Sequence, residues 1–528
     1  MGTRAAIGVF AAASAACFPS FPNDCIDDGC PPGSVCVVGA AGPECRTGGG
    51  GGDAGPRDAG GGDGFVVRST DPAANAVDGD PDVVAVTFSA AAKEADGSSF
   101  VARSSLNGRL VGTYAGGGTT TLTFEPETEI TAGARVEVTV RSLVESTSDE
   151  PLEPPHVVRF LATTASADLR FTQGGDLEAG LTAVRSIRLA QLDADPDLEL
   201  VFSAGATLDA LRIADIAPSG AITIRPGALR VDAVADFSVS DIDVGDLNDD
   251  GAVDIFVASP AQQDGTRPFL GDPGNLGQFT LGPVSERDLR LYRVRLGDLD
   301  GDGDLDFAGA RALADQPDDA GTNVVVGLGN GDGTFAVGSP IDSKAGTGVA
   351  KELELADMDA DGDLDVVVLN DFVDRADGTV VVLFNDGRGR FPFITADPLP
   401  AVDRANDALI TGDFDGDGDV DVAVGSRLPS VLIVLKNDGR GGLTPQPPVA
   451  ASVDYLAAGD VDGDGDLDVV TSGGTILENA TGNGELVVGD SIGGAGLTAL
   501  ADLDGDEDLD VVFVGDSVST PFGTFLND

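Results

Sequence analysis

Between residues 191 and 510 the chain repeats one acidic nine-residue loop seven times, each time followed by a β-branched run. Two copies read Asp298-Leu-Asp300-Gly-Asp302-Gly-Asp304-Leu-Asp306 and Asp413-Phe-Asp415-Gly-Asp417-Gly-Asp419-Val-Asp421. The others begin at Gln191, Asp246, Asp357, Asp460 and Asp502, a spacing of 42 to 59 residues. A period of this size means a solenoid, a propeller or an array. Each loop leads into a strand such as Leu364-Asp365-Val366-Val367-Val368. A second strand and an Asn-Asp-Gly turn follow (Val380 to Phe384, then Asn385-Asp386-Gly387). A third strand ends near Phe391 or Leu443, and a fourth, such as Ala408-Leu409-Ile410, enters the next loop. Four strands per repeat and seven repeats describe a seven-bladed β-propeller.

Carboxylates at alternating positions around a glycine make an oxygen cage for a hard cation. Positions 1, 3 and 5 offer side-chain oxygens, position 7 its carbonyl, and position 9 closes the cage, while position 6 favours glycine for the bend. Four loops match fully: Asp298, Asp300, Asp302, Asp306; Asp357, Asp359, Asp361, Asp365; Asp413, Asp415, Asp417, Asp421; and Asp460, Asp462, Asp464, Asp468. Asp246, Asn248, Asp250 and Asp254 differ by one amide. Asp502, Asp504, Asp506 and Asp510 carry Glu507 where glycine belongs. The first loop keeps Asp193, Asp195 and Glu199 but has Gln191 at position 1 and Pro196 at position 6, which predicts weak binding or none.

A solvated acidic turn is the alternative. Against it, positions 2 and 8 are apolar in all seven copies, from Leu192 and Leu198 to Leu503 and Leu509. Such pegs force the carboxylates to converge, and converged carboxylates repel unless protonated or metallated. Oxygen-only ligands favour Ca²⁺ over zinc or copper. A many-oxygen cage also suits Ca²⁺ better than Mg²⁺.

These repeats resemble the FG-GAP/VCBS family of integrin-type propellers, and all seven copies carry the resemblance. The last repeat stops at Phe525-Leu526-Asn527-Asp528, where others continue. Leu169-Arg170-Phe171-Thr172, ahead of the first repeat, is expected to supply the missing strand, so that both ends of residues 166–528 share one blade.

From 65 to 165 short alternating strands predict an antiparallel β-sandwich: Val84, Val86 and Phe88; Leu122 and Phe124; Val136, Val138 and Val140; Val158 and Phe160. Asn107-Gly108 is a hairpin signal. The segment resembles bacterial Ig-like domains of surface proteins. The fold class expected is therefore all-β, a seven-bladed propeller preceded by an Ig-like sandwich.

The N-terminus reads as an export signal over 1–17: Arg4, an apolar stretch from Ala5 to Ala16, and Ser14-Ala15-Ala16-Cys17, which resembles a bacterial lipobox. Consuming Cys17 as a lipid-bearing terminus leaves four cysteines, Cys25, Cys30, Cys36 and Cys45, in the segment 18–46. Four allow two disulfides of open connectivity, with a small zinc site as the alternative. Residues 47–64 are a glycine-rich tether.

The net charge of -58 argues against nucleic acid or an anionic membrane surface as partner. Membrane contact is expected only through the N-terminal lipid. One histidine and no tryptophan suit neither imidazole catalysis nor indole stacking of sugars. Gly489-Asp490-Ser491-Ile492-Gly493 fits a nucleophile elbow, but that motif needs a following helix and a histidine partner. Gly494 to Gly496 follow, and His156 falls in the other domain, where it opens a strand. The residues predict no enzyme. They predict a calcium-stabilised, monomeric surface protein that binds an extracellular protein or matrix. Polysaccharide binding or degradation is the alternative.

Overall fold

Valine and phenylalanine at period two build the first β-rich region, in the computed structural model as in the sequence pattern. The structure describes residues 34–39, 42–47 and, between 64 and 527, all but 168, 178–183, 204–210, 228, 230–238, 261–265, 285–288, 312–321, 344–348, 372–377, 400–402, 495 and 516–521. Cys17, Cys25, Cys30 and most of the glycine-rich tether lie outside these residues. Residues 1–62 form one unit. In it Ser34–Gly39 pairs antiparallel with Gly42–Thr47, which sets Cys36 opposite Cys45 along the backbone.

The second unit begins at Asp63. Its sandwich has two four-stranded sheets. One runs Val67–Asp71, Val84–Phe88, Thr121–Pro126, Gly112–Ala115; the other runs His156–Leu161, Arg135–Val140, Phe100–Ser104, Gly108–Arg109. In Val84–Phe88 burial alternates as the pattern requires. In Arg135–Val140 it does not: Glu137 and Thr139 are buried along with Val136, Val138 and Val140. That second face lies against the propeller.

Seven further sheets follow in chain order, each of at least four strands. In the fourth, Val349–Ala356 precedes the acidic loop, and Asp365–Asp371, Thr379–Phe384 and Phe393–Pro398 follow it outward. Val366, Val367, Val368 and Leu369 are all buried, because a neighbouring sheet covers each face. This is why the second strands read as continuous apolar runs rather than alternating ones. The first strands are Ile187–Ala190, Asp241–Gly245, Leu291–Gly297, Val349–Ala356, Asp403–Gly412, Leu456–Gly459 and Leu497–Ala501. Each touches the next and the last touches the first, so the sheets close into a ring around a channel.

Small residues end these first strands for a packing reason. A Cβ on Gly245 would lie 2.5 Å from Leu305, and one on Gly412 would lie 2.6 Å from Leu467. In both cases the position-8 peg of the following repeat fills the space, so each loop is keyed into its neighbour.

Ring closure follows the expected pairing but with a shifted strand. The strand beside Phe522–Leu526 is Thr172–Leu177, with Thr172 opposite Leu526. Leu169 and Phe171 instead pack against the cluster of Val461, Val470 and Phe513. The apolar side chains are needed as packing, and the more polar residues after them supply the edge ladder. Thr524, fully buried, ties the two ends: its hydroxyl donates to the Gly220 carbonyl at 2.7 Å and accepts from the Gly175 N–H at 3.1 Å. Deleting 172–177 should therefore lower the thermal unfolding midpoint by several degrees. A truncated protein that melts cooperatively at the full-length temperature would refute this closure.

Candidate metal loops beneath the sandwich

The fourteen pegs at positions 2 and 8 are all buried, from Leu192 and Leu198 to Leu503 and Leu509. Between them, in repeats two to seven, the loop backbone turns through two left-handed residues, not one. Position 6 has φ of 87° to 92° in Gly251, Gly303, Gly362, Gly418 and Gly465, and 74° in Glu507. Position 4 has φ of 56° to 83°, including Asp249 and Ala360. Sequence reasoning recognised the first requirement and missed the second, although the glycines at 301, 416, 463 and 505 signal it.

This shape turns amides inward. In repeats two to seven the position-6 N–H donates to Oδ2 of position 1, at 2.8 to 3.1 Å. Position 9 is more deeply committed than a closing ligand need be. Oδ2 of Asp254, Asp306, Asp365, Asp421, Asp468 and Asp510 accepts the position-2 N–H, at 2.7 to 3.1 Å. Oδ1 accepts an N–H from the third strand, at 2.6 to 2.9 Å. Position 9, expected to close the cage, also clamps loop to sheet, and only its remaining lone pairs face a cation.

Four of those donors are Asn385, Asn437, Asn479 and Asn527, each just past its third strand; the sequence presented Asn385 and Asn437 only as turn residues. Each also reaches the preceding repeat through Nδ2. The acceptors are the carbonyls of Leu299, Met358, Phe414 and Val461, at 2.6 to 3.0 Å. One asparagine thus staples two sheets.

The structure brings Asp298, Asp300 and Asp302 together, with ligand oxygens within 4.8 Å of one another. It does the same for Asp357, Asp359, Asp361; for Asp460, Asp462, Asp464; and for Asp413, Asp415, Asp421. Among the described residues, three buried position-3 oxygens, Oδ1 of Asp359, Asp415 and Asp504, have no hydrogen-bond partner. Burial pushes Asp254 up to about 8 and Asp421, Asp468 and Asp510 up to about 7. Unpaired buried carboxylate oxygens are what a hard cation would satisfy, so these residues fit Ca²⁺. Positions 1, 3 and 5 would hold it, supplying charge neutralisation rather than chemistry on a substrate.

Two loops already hold a cation of their own. In repeat one Arg225 donates to Glu199 at 2.6 Å and to Asp193 and Asp215 at 2.5 Å. Asp193, Glu199 and Asp215 also have the spacing of a metal cluster. The guanidinium already satisfies them, and Pro196 lacks the left-handed φ of the other position-6 residues. In repeat five Lys436 lies 3.3 Å from Asp415. In repeat two Asn248 donates to Asp250 at 2.9 Å, an amide bond in place of a shared cation.

The sandwich sits on this loop face and touches every repeat. Gln191 donates its N–H to the Leu106 carbonyl. Arg103 and Arg109 pair with Asp249, at 3.2 and 2.6 Å. Thr139 donates to Asp298 at 2.8 Å, and Val157 N–H to the Gly362 carbonyl at 2.7 Å. Asn75 reaches the Gly418 carbonyl, Thr164 reaches Asp460, and Ala165 N–H reaches the Glu507 carbonyl. His156 opens its strand, as expected, and packs beneath Gly362; burial pushes it down to about 4. Ser491 ends the outer strand Val487–Ser491 of the sixth sheet, opposite Thr475.

Residues 246–309, 298–368, 369–424 and 413–471 match the FG-GAP-like repeat family, and residues 63–164 match the bacterial Ig-like domain. The chain is an FG-GAP propeller protein with an Ig-like domain. Such modules point to an extracellular or surface protein. Among solved structures the Dos1 propeller is similar at 11% identity, covering 67% of this chain and 95% of its own, with a TM-score of 0.40. A protein of unknown function from Bacteroides thetaiotaomicron is similar at 10% identity, covering 88% of this chain and 98% of its own, with a TM-score of 0.29. No curated protein matches the chain. Among the described residues no helix is long and apolar enough to cross a membrane.

The raised carboxylates make the pH dependence diagnostic. Without a cation, the folded form takes up protons between pH 8 and 4 that the unfolded form, with carboxylates at their ordinary values, does not. Stability should therefore rise on acidification through that window. His156 acts oppositely, costing stability as pH falls from about 6.5 towards 4, but it is one group against many. With calcium, protons compete with the ion and the sign reverses. Denaturant midpoints at pH 8 and pH 5 should rise on acidification in chelator and fall in calcium. A fall in both would show that the loop carboxylates do not carry the raised values.

Proposed function

We propose that this is an exported, calcium-stabilised surface protein that binds an extracellular protein or matrix partner, without catalysis, as a monomer. The observation that supports calcium is the set of buried Oδ1 atoms of Asp359, Asp415 and Asp504 left without a hydrogen-bond partner among the described residues. Recognition rather than chemistry accords with how the sandwich is held. Its contacts with all seven loops make sandwich and propeller one rigid body, which lowers the ordering cost of binding. With the loop face covered, recognition falls to the rim and the far side, where Leu428, Val487 and Val488 are exposed. A lipid on Cys17, beyond the described residues, would anchor this body through the glycine-rich tether.

Immobilised protein should bind an extracellular-matrix protein saturably in calcium. Binding to polysaccharides alone would replace this reading by the glycan one.

Calcium binding to the folded state alone stabilises by RT ln(1 + [L]/Kd) per site. Extracellular modules have Kd of about 10⁻⁴–10⁻³ M, so millimolar calcium contributes roughly 0.4–1.4 kcal/mol per site. Thermal melts in calcium should exceed those in magnesium or chelator. Asp302→Ala or Asp417→Ala should remove one site's share of that gain. Asp195→Ala should leave the gain intact, because Arg225 occupies that loop. Equal melting temperatures in all three conditions would reduce the loops to acidic turns.

A further inference from the structure

The sandwich closes one end of the propeller channel over a cavity of about 400 Å³, lined by first strands of all seven sheets and by the sandwich face that carries Arg103, Arg135, Glu137 and Arg159. The volume lies within the range of small-molecule sites, roughly 300–1,000 Å³. The charged and hydroxyl residues on this face other than Arg135 bond across to the propeller or to each other. Arg103 pairs with Asp249 and Thr139 with Asp298. Arg159 pairs with Glu137 at 2.6 Å and donates to the Leu355 carbonyl at 2.7 Å. Arg135 is the exception. Among the described residues its guanidinium makes no hydrogen bond or ion pair, while its side chain keeps surface open to the cavity.

The carboxylates around Arg135 are already engaged. Glu137 is held by Arg159, Asp243 by Arg188 at 2.9 Å and Glu354 by Arg295 at 2.8 Å. Asp246, Asp357 and Asp413, which also border the cavity, accept N–H bonds from their own loops. Burial lowers the Arg135 guanidinium from its ordinary value, yet an arginine stays charged at neutral pH. A buried charge without a partner is costly, and a pocket that keeps one invites an anion.

The walls specify the rest of the ligand. Repeats one to four line the channel with charge, in an ion-pair chain from Arg188 through Asp241 and Arg295 to Glu354. Repeats five to seven offer Ile410, Ala458 and Leu500. A second cavity, bordered by Arg188, Arg293 and Glu352, shares Ile187, Ile410 and Thr498 with the first.

We propose that the cavity between sandwich and propeller binds a small amphipathic monocarboxylate, its carboxylate paired with the Arg135 guanidinium and its apolar body against the wall of repeats five to seven. Arginine suits this role because its planar fork meets a carboxylate through two parallel hydrogen bonds. The proposal does not depend on the identity of any extracellular partner.

Hexanoate is the probe, titrated calorimetrically into the full chain in calcium buffer, with hexanol, inorganic phosphate and chloride as comparisons. One saturable site for hexanoate is expected, with hexanol, phosphate and chloride each weaker by roughly tenfold or more. Arg135→Met keeps the stem, removes the charge and breaks no ion pair. It should retain the wild-type melting temperature without ligand and weaken hexanoate by a similar factor. Absence of saturable hexanoate binding overturns the proposal, as does equal affinity in Arg135→Met. Phosphate or chloride binding as tightly as hexanoate would leave a simple anion site and overturn the amphipathic ligand. A marked fall in the melting temperature of unliganded Arg135→Met would assign the arginine a structural partner instead, and likewise overturn it.

Discussion

Each acidic loop gathers several carboxylates where apolar pegs on both shoulders prevent them from separating, and the rest of the structure answers that repulsion. Desolvation and mutual repulsion together push these groups upward. The chain meets the cost in three ways. Backbone amides of the loop point inward at positions 1 and 9. In the first repeat an arginine takes the place a cation would fill. In repeats four, five and seven, buried Oδ1 atoms of Asp359, Asp415 and Asp504 are left over among the described residues, and a divalent ion would supply the counter-charge.

The same strain explains the sandwich. Seven loops opening on one face make an intensely negative surface, and Arg103, Arg109 and Arg159 bring positive charge to it, while hydroxyls of Thr139 and Thr164 donate to loop carboxylates. The Ig-like strand Arg135–Val140 is therefore covered on both faces, one by its own core and one by the propeller. Loop order and sandwich docking are coupled, since Asp298 and Asp460 serve both. Burying ion pairs at such an interface adds less stability than specificity of placement. Here it sets which face of the ring stays open.

Ring closure is the second global constraint. Leu305, Leu364, Leu467 and Leu509 sit in the space left by a glycine of the neighbouring first strand, and each of four asparagines bonds two repeats. Contacts of this kind are local in space but run between repeats, so no sheet completes its packing alone. Stability is accordingly shared around the ring, and the joint between Thr172–Leu177 and Phe522–Leu526 is where it is most exposed to loss.

Much of this was legible in the residues. The period, the pegs, the alternating strands and the carboxylate positions are written in sequence order, because a nine-residue loop and a pleated strand are decided by neighbours along the chain. The departure of the first loop from the pattern was also legible, through Gln191 and Pro196. Other features required the fold. Arg225 lies 26 residues beyond Glu199 in the chain, and only pairing of strands brings it into that loop. The second task of position 9, the reach of Asn385 and Asn437 to the previous repeat, and the shift of the closing strand to Thr172–Leu177 depend on what stands opposite in space. So does the docking of the sandwich, where Arg135 is one arginine among many in the sequence. Local conformational preference and periodicity determined the parts of this protein; long-range electrostatics and packing, which no period encodes, decided how those parts face one another and where a charge was left without a partner.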